Sequence, residues 1–434
     1  MTKQQVWNAL QRGLGSGFLA VRENPERYRD LVVRACGRNL SFDTQCEGTR
    51  AWYVYQLVCC FSDREAFRDL AVRKLREKKP DGSWDYAHYS ELLTLFAADG
   101  DALAEAALWE KYEQLLARLR TFRRSCMAKS RTSDSFETIC VALSGNAEYY
   151  ARIAADIGGL FLIGRQYDAW DFLWLYHSRP RGVNAALRRS AASYDPLRAY
   201  FASFDALEQE RKRRRAETIV REEPEGGRRL SVWLDRHAPE QAEARAEAYL
   251  AEAEPEARAA ALEAFSVCPY PLDPGPILAD AESAFPALRA SAWDALSRLR
   301  APEVRSFAQA HLDKSKEAVL YVLIRNYQPE DLAFWNRYLQ ALHIDYASES
   351  GWHGIHLALL ELFEKKSGVE QPPKALLPLL YESTLCSCCR KRIVQHMRSR
   401  RMISAGMWEA LRHDSSDEIR AIAEDHFRRT RARG

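Results

Sequence analysis

The sequence predicts an all-α fold, a solenoid of stacked antiparallel helical hairpins, from three observations. The first is a recurring signature: an arginine, a small or apolar residue three positions on, and Leu, Phe or Met seven positions on. It occurs at Arg50/Tyr53/Leu57, Arg68/Ala71/Leu75, Arg258/Ala261/Phe265, Arg289/Ala292/Leu296, Arg305/Ala308/Leu312, Arg390/Ile393/Met397 and Arg420/Ala423/Phe427. Offsets of three and seven place the apolar pair on one helical face. The second is that strand-like alternation is rare, while the Ala, Leu, Arg and Glu content favours helix. The third is the spacing of breakers, at Lys79-Pro80-Asp81-Gly82, Arg179 to Gly182, Pro224 to Gly227, Pro269 to Pro276, Pro302 and Pro372-Pro373. Those intervals suit helix pairs.

Taken in order, residues 1–205 read as an aromatic-rich helical region with diverged copies of the signature. Arg50 and Arg68 lie 18 residues apart, one helix plus a short turn, so they mark neighbouring antiparallel helices. Gly48, just before Arg50, marks either a tight turn ahead of a helix or a close backbone approach. Arg123 to Ser135, rich in Ser, Thr, Arg and Lys, reads as a loop or a poorly ordered segment. Residues 206–239 read as a charged helix and linker. Residues 240–434 form the clearer repeat array. There Pro255, Pro286 and Pro302 open signature helices, as proline can in a first turn where its missing N–H has no partner. Arg289 and Arg305 are 16 residues apart, and Arg258 and Arg289 are 31 apart, about one hairpin.

The chain has 434 residues, enough for two or three domains or one long array. Lys+Arg (63) nearly balance Asp+Glu (60), so the net charge of +3 says little about partners. Arg390 to Arg433 is basic and Glu240 to Glu263 is rich in Glu and Ala, which gives a mild dipole. The longest apolar runs, Val54 to Phe61 and Ile157 to Ile163, fall far short of the roughly 20 residues of a membrane helix, so no membrane association is expected. Met1 to Gln11 lacks a basic n-region and an h-region, and the ten scattered cysteines lack a secreted disulfide framework. A cytosolic protein with reduced thiols is expected, with Cys59, Cys140 and Cys268 on buried helix faces.

Pro255-Glu-Ala-Arg258-Ala-Ala-Ala261, Pro286-Ala-Leu-Arg289-Ala-Ser-Ala292, Pro302-Glu-Val-Arg305-Ser-Phe-Ala308 and Asp417-Glu-Ile-Arg420-Ala-Ile-Ala423 resemble the repeat helix of the HEAT-repeat family. The resemblance extends over roughly 250–430 and more weakly over 20–100, and the C-terminal half is similar to bacterial HEAT-repeat proteins. It implies that Arg50, Arg68, Arg258, Arg289, Arg305, Arg390 and Arg420 are structural, each pairing with an acidic group of a neighbouring repeat. The resemblance specifies a fold, since HEAT arrays include scaffolds, adaptors, enzyme subunits and DNA glycosylases.

Cys386-Ser-Cys-Cys389 with His396 is the weak metal candidate. Zinc needs four converging soft donors, no second Cys-x-x-Cys completes the set, and small cysteines at tight helix contacts explain the motif as a variant repeat. Neither a metal nor a cofactor is expected. The di-iron chemistry of some HEAT-like hydroxylases uses His-Glu dipeptides, and none of the ten histidines here precedes a Glu. Trp170, Trp174 and His177, with Asp171 beside them, share a helical face and are expected to pack as core between neighbouring helices. Exposed, they could instead stack a base beside a carboxylate, as in alkylpurine glycosylases. Trp84-Asp85-Tyr86 is a weaker candidate of the same kind. Cys46 has no evident histidine partner for nucleophilic work. Arg211 to Arg215 and the tail Arg428, Arg429, Arg431 and Arg433 could meet phosphates, but acidic neighbours make the first a solvated helix face.

No Gly-rich phosphate loop, Gly-x-Ser-x-Gly or His-Glu-x-x-His motif is present. The expected function is therefore a non-enzymatic scaffold or adaptor holding a protein or peptide partner on a curved surface, with no catalytic residue assigned. The alternative is nucleic-acid binding, with glycosylase-type action centred on Trp170, Asp171, Trp174 and His177. The two differ in the setting of those tryptophans: buried for the scaffold, exposed on a basic face for the alternative.

Overall fold

The computed structural model describes the chain except at 82, 123–126, 164–166, 168, 221–238, 267, 313–316, 342–348, 365–372 and 433–434. Every regular element among the described residues is a helix. None of these helices is long and apolar enough to cross a membrane. Contacts divide the chain into two compact units, Met1–Val220 with Leu385–Gly434, and Arg221–Thr384.

The first unit contains α1 (Lys3–Arg12), α2 (Gly15–Glu23), α3 (Pro25–Cys36), α4 (Thr44–Glu47), α5 (Ala51–Val58), α6 (Arg64–Glu77), α7 (Trp84–Ala98), α8 (Ala102–Thr121), α9 (Met127–Leu143), α10 (Ala147–Ile163), α11 (Leu173–Ser178), α12 (Arg181–Ser190) and α13 (Asp195–Val220). One continuous apolar core runs from Val6 on α1 to Leu207 on α13. Local chemistry sets the helix starts. Thr2 and Gln5 form a capping box on α1, and Asp101 accepts from the N–H groups of Leu103 and Ala104 to start α8. Gly48 takes φ +67° and a Cβ there would meet nothing, so it serves the turn and not a close approach.

The second unit contains α14 (Pro239–Ala251), α15 (Pro255–Leu262), α16 (Gly275–Asp280), α17 (Pro286–Leu296), α18 (Pro302–Ala310), α19 (Glu317–Arg325), α20 (Leu332–Ala341), α21 (Glu349–Glu361) and α22 (Leu376–Ser383). The prolines of α15, α17 and α18 each occupy the first turn. Then α23 (Ser387–Ser399), α24 (Ala405–Leu411) and α25 (Asp417–Arg431) return to the first unit.

That return separates 385–434 from the rest of the 240–434 stretch that signature spacing groups together. Glycines allow the docking: a Cβ on Gly15 would lie 1.7 Å from the Ala410 carbonyl oxygen, and one on Gly13 2.0 Å from Ser415 Oγ. The Ser415 N–H donates to the Gly13 carbonyl at 2.8 Å, and Phe18 stacks on His413 at 4.2 Å. Signature periodicity tells which helix face is apolar; it carries no information on which distant helix covers that face.

The arginines have definite partners. Arg258, Arg289, Arg305, Arg390 and Arg420 each occupy the fourth position of their helix. Arg68 reaches Asp101 at 2.7 Å, Arg258 reaches Asp280 at 2.6 Å, Arg305 reaches Asp331 at 2.6 Å and Arg390 reaches Asp414 at 2.9 Å. Each carboxylate lies on a later segment: Asp101 caps α8, Asp280 ends α16, Asp331 precedes α20 and Asp414 precedes α25, so three of the four pairs reach past an intervening helix. Arg50 differs: it caps α5, pairs with Glu47 at 2.8 Å, and donates to the carbonyls of Gln11 and Leu385. Arg289 donates to the Ser283 carbonyl, while Arg420 donates to Asp414 and Ser415 carbonyls and lies 3.6 Å above the Trp52 ring.

Two expectations are corrected. Residues 127–135 belong to α9 and not to a loop. Its Thr132, Ser133, Phe136, Ile139, Cys140 and Leu143 are all buried, so tertiary packing of one face outweighs the modest helix propensity of serine and threonine. Cys59 is exposed at the end of α5, whereas Cys140 and Cys268 are buried as expected. The Pro224 to Gly227 turn lies outside the described residues.

Candidate functional site

Trp170, Asp171, Trp174 and His177 fall on a 3-10 turn (Ala169–Phe172) and the short helix α11. They are not core. Trp170 is 56% and Trp174 43% exposed, and His177 is also exposed. Phe172 and Leu175 between them are fully buried and anchor the segment instead. Because the turn is 3-10 up to Phe172, the spacing of a continuous α-helix does not apply across it. Asp171 pairs with Lys129 of α9 at 3.4 Å, and Arg211 of α13 lies 5.8 Å from the Trp170 ring centroid.

Beside this segment lies a pocket of about 260 Å³, lined by Ser83, Trp84, Tyr86, Ala87, Asp134, Ser135, Glu137, Thr138 and Trp174. The start of α7 supplies one wall, the middle of α9 the floor, and α11 the other wall. Two indoles stand at it, Trp174 and Trp84, the latter 38% exposed. Inside, Tyr86 and Ser135 are each 1% exposed, and neither the Tyr86 hydroxyl nor Ser135 Oγ has a hydrogen-bond partner. Both oxygens are themselves buried, so the groups a guest meets are the half-exposed Trp84 and Trp174 and the carboxylates of Asp134 and Glu137.

Among the described residues the lining is acidic, with Asp134 and Glu137 and no basic side chain. Glu137 Oε1 accepts the Leu175 N–H at 2.9 Å, which joins α9 to α11. Burial pushes its carboxyl up to about 7, against the lowering effect of the Leu175 and Trp174 N–H groups, with Asp134 and Asp171 adding to the rise. Asp134 is raised in the same direction by burial and by Asp171. Two cations lie nearby and are engaged. Lys129 pairs with Asp171. Lys111, 5.7 Å from the Tyr86 ring centroid, donates to the carbonyls of Arg76 and Lys78.

This arrangement makes stability pH-dependent in a defined sense. A carboxyl whose folded pKa is raised holds its proton longer when folded than when unfolded. Its contribution is therefore fully present below the ordinary value of 4.5 and falls as pH rises through about 7. The rise of about 2.5 units corresponds to about 3 kcal/mol lost by pH 8. Glu137→Gln is expected to flatten the decline between about pH 5 and about pH 8, read as denaturation midpoints across that range.

The other sequence candidates are placed as follows. The thiols of Cys386 and Cys389 lie within 4.8 Å of each other and are both buried. His396 is not drawn to them; its Nδ1 lies 3.1 Å from Arg400 Nη1. In the basic run, Arg213 and Arg214 both pair with Glu210. In the tail, Arg428 and Arg429 pair with Asp425, and Arg433 lies outside the described residues. The loop expected over Arg123 to Ser135 hides Asp134 and Ser135, while Glu137 and Thr138, just beyond it, belong to no recognised motif. The signal that reveals the helix is the 3.6-residue recurrence of Thr132, Phe136, Ile139/Cys140 and Leu143.

No protein-family model, curated protein or solved structure matches the chain significantly.

Proposed function

We propose that the chain is a HEAT-like α-solenoid that binds a protein or peptide partner, and that the Trp84–Trp174 pocket is where it reads that partner. The observation that carries this reading is the pocket itself: two half-exposed indoles beside the carboxylates of Asp134 and Glu137. Tryptophan is the residue type most enriched at binding hot spots, since it offers large area and a polar edge at low entropy cost. The arginine–carboxylate pairs support the repeat reading, because in Arg68, Arg258, Arg305 and Arg390 the signature arginine reaches an aspartate on a later helical segment, the kind of pairing the family resemblance implies.

The exposure of Trp170 and Trp174 favours a second reading, base stacking on nucleic acid, which the sequence linked to exposed tryptophans. Their surroundings weigh against it. Phosphate binding is driven by unpaired Lys and Arg; Trp174 adjoins Asp134 and Glu137 instead, and the one cation placed at Trp170 among the described residues is Arg211.

The experiment is selection from a random-peptide display library on the purified chain, with a salt series on single- and double-stranded DNA alongside. Selected peptides are expected to lose about 10-fold or more in affinity to Trp84→Ala and Trp174→Ala, about 1.4 kcal/mol or more each. Peptides insensitive to both substitutions would overturn the pocket reading. DNA affinity that falls steeply with salt and needs Trp170 or Trp174 would establish the second reading in its place.

A further inference from the structure

The geometry points to a more specific guest: the pocket between α7, α9 and α11 accepts an organic cation, the ammonium or guanidinium head of a lysine, methylated lysine or arginine on the partner peptide. This inference rests on the pocket reading above and names its ligand class.

Two features of the lining converge on a cation. Aromatic rings carry negative electrostatic potential over their faces, and three aromatic residues, Trp84, Trp174 and Tyr86, line one cavity, the two indoles half-exposed. The ionisable side chains that complete the lining, apart from the Tyr86 phenol, are carboxylates, Asp134 and Glu137. A cavity of about 260 Å³ also exceeds what a single bound water needs and suits a side-chain head group. An anionic guest would meet the two carboxylates, and a purely apolar one would leave them without a counter-charge.

Binding of a cation should be linked to protonation. Glu137 titrates close to neutrality in the free protein, facing Asp134 on its own helix, Asp171 on the 3-10 turn, and the Trp174 and Leu175 N–H groups of α11. The nearby Lys129 is held by Asp171, and Lys111 behind Tyr86 by two backbone carbonyls. A positive guest favours ionised Glu137 and so expels its proton. Affinity should rise as pH increases through about 7, opposite in sense to the stability change.

The test uses the full chain and four small probes: the amides of Nα-acetyl-lysine, Nα-acetyl-trimethyllysine, Nα-acetyl-arginine and, as the neutral isostere, Nα-acetyl-norleucine. Calorimetry and tryptophan fluorescence are read at about pH 6 and about pH 8. At least one cationic probe is expected to bind about 10-fold tighter than the norleucine probe, more tightly at the higher pH. Glu137→Gln should abolish both the preference and the pH dependence, and Asp134→Asn should weaken the preference, with far-UV circular dichroism verifying the fold of each. Equal binding of charged and neutral probes, binding of none of them, or a preference unchanged in Glu137→Gln overturns the inference. The failures are separable: selected peptides that need Trp84 and Trp174 while the probes show no charge preference leave the pocket reading standing without its cation.

Discussion

Arg390→Ala is expected to cost about 3–5 kcal/mol of stability, the penalty for removing one partner of a buried ion pair. Arg390 and Asp414 are both 0% exposed. The guanidinium also donates to the Leu385 carbonyl at 3.0 Å and Ser415 Oγ at 3.1 Å. Leu385 in turn accepts from Arg50, whose partner Glu47 accepts the Ser387 N–H at 3.0 Å. One carbonyl thus joins the α5 and α23 arginines, and the chain's two ends close through it. Urea denaturation is the measurement. A double variant, Arg390→Met with Asp414→Leu, should lose markedly less than the sum of its two single changes, because neither charge remains buried alone. Additive losses would show that the pair contributes little.

Gly158→Ala is expected to destabilise by about 1–3 kcal/mol or more, while Gly159→Ala, one residue away, should be neutral or stabilise by up to about 1 kcal/mol. A Cβ on Gly158 would sit 1.8 Å from the Pro196 carbonyl oxygen and 3.2 Å from the Tyr200 N, so α10 and α13 must separate. Backbone cannot swing aside as a side-chain tip can. At Gly159 the added methyl meets nothing within 4 Å, leaving only the gain in helix propensity. Thermal midpoints of the two variants against the parent give the comparison, and similar effects at both positions would contradict the close α10–α13 contact.

Much of the secondary structure was legible because it depends on neighbours in sequence. Pro255, Pro286 and Pro302 each sit in a first turn, and the arginine three residues later holds the same helical position every time. Both follow from capping rules and periodicity. What was not legible depends on residues far apart in the chain. Nothing in Gly13-Leu14-Gly15 announces that Ala410 and Ser415 will press on it. The aromatic segment illustrates the same limit. The sequence shows a dense aromatic and acidic cluster, yet whether Trp174 is covered or exposed depends on residues far away in the chain. The pocket uses Trp174 and, from the weaker sequence candidate, Trp84 and Tyr86. Of its two carboxylates, Asp134 lies in a stretch whose serines and threonines suggested a loop, and Glu137 lies just after it. Trp170, Asp171 and His177, grouped with Trp174 from spacing, lie outside the lining.

The stability effects concern how the chain holds together; the pocket concerns what it does. Amide hydrogen exchange, measured with and without a selected peptide, addresses the pocket most directly. Slowed exchange concentrated at 83–90, 134–141 and 173–178, and lost in the Trp84→Ala variant, is the expected result. Protection on the basic helices of 387–431 instead, or a footprint unchanged by Trp84→Ala, would contradict the assignment of the α7–α9–α11 pocket as the recognition site.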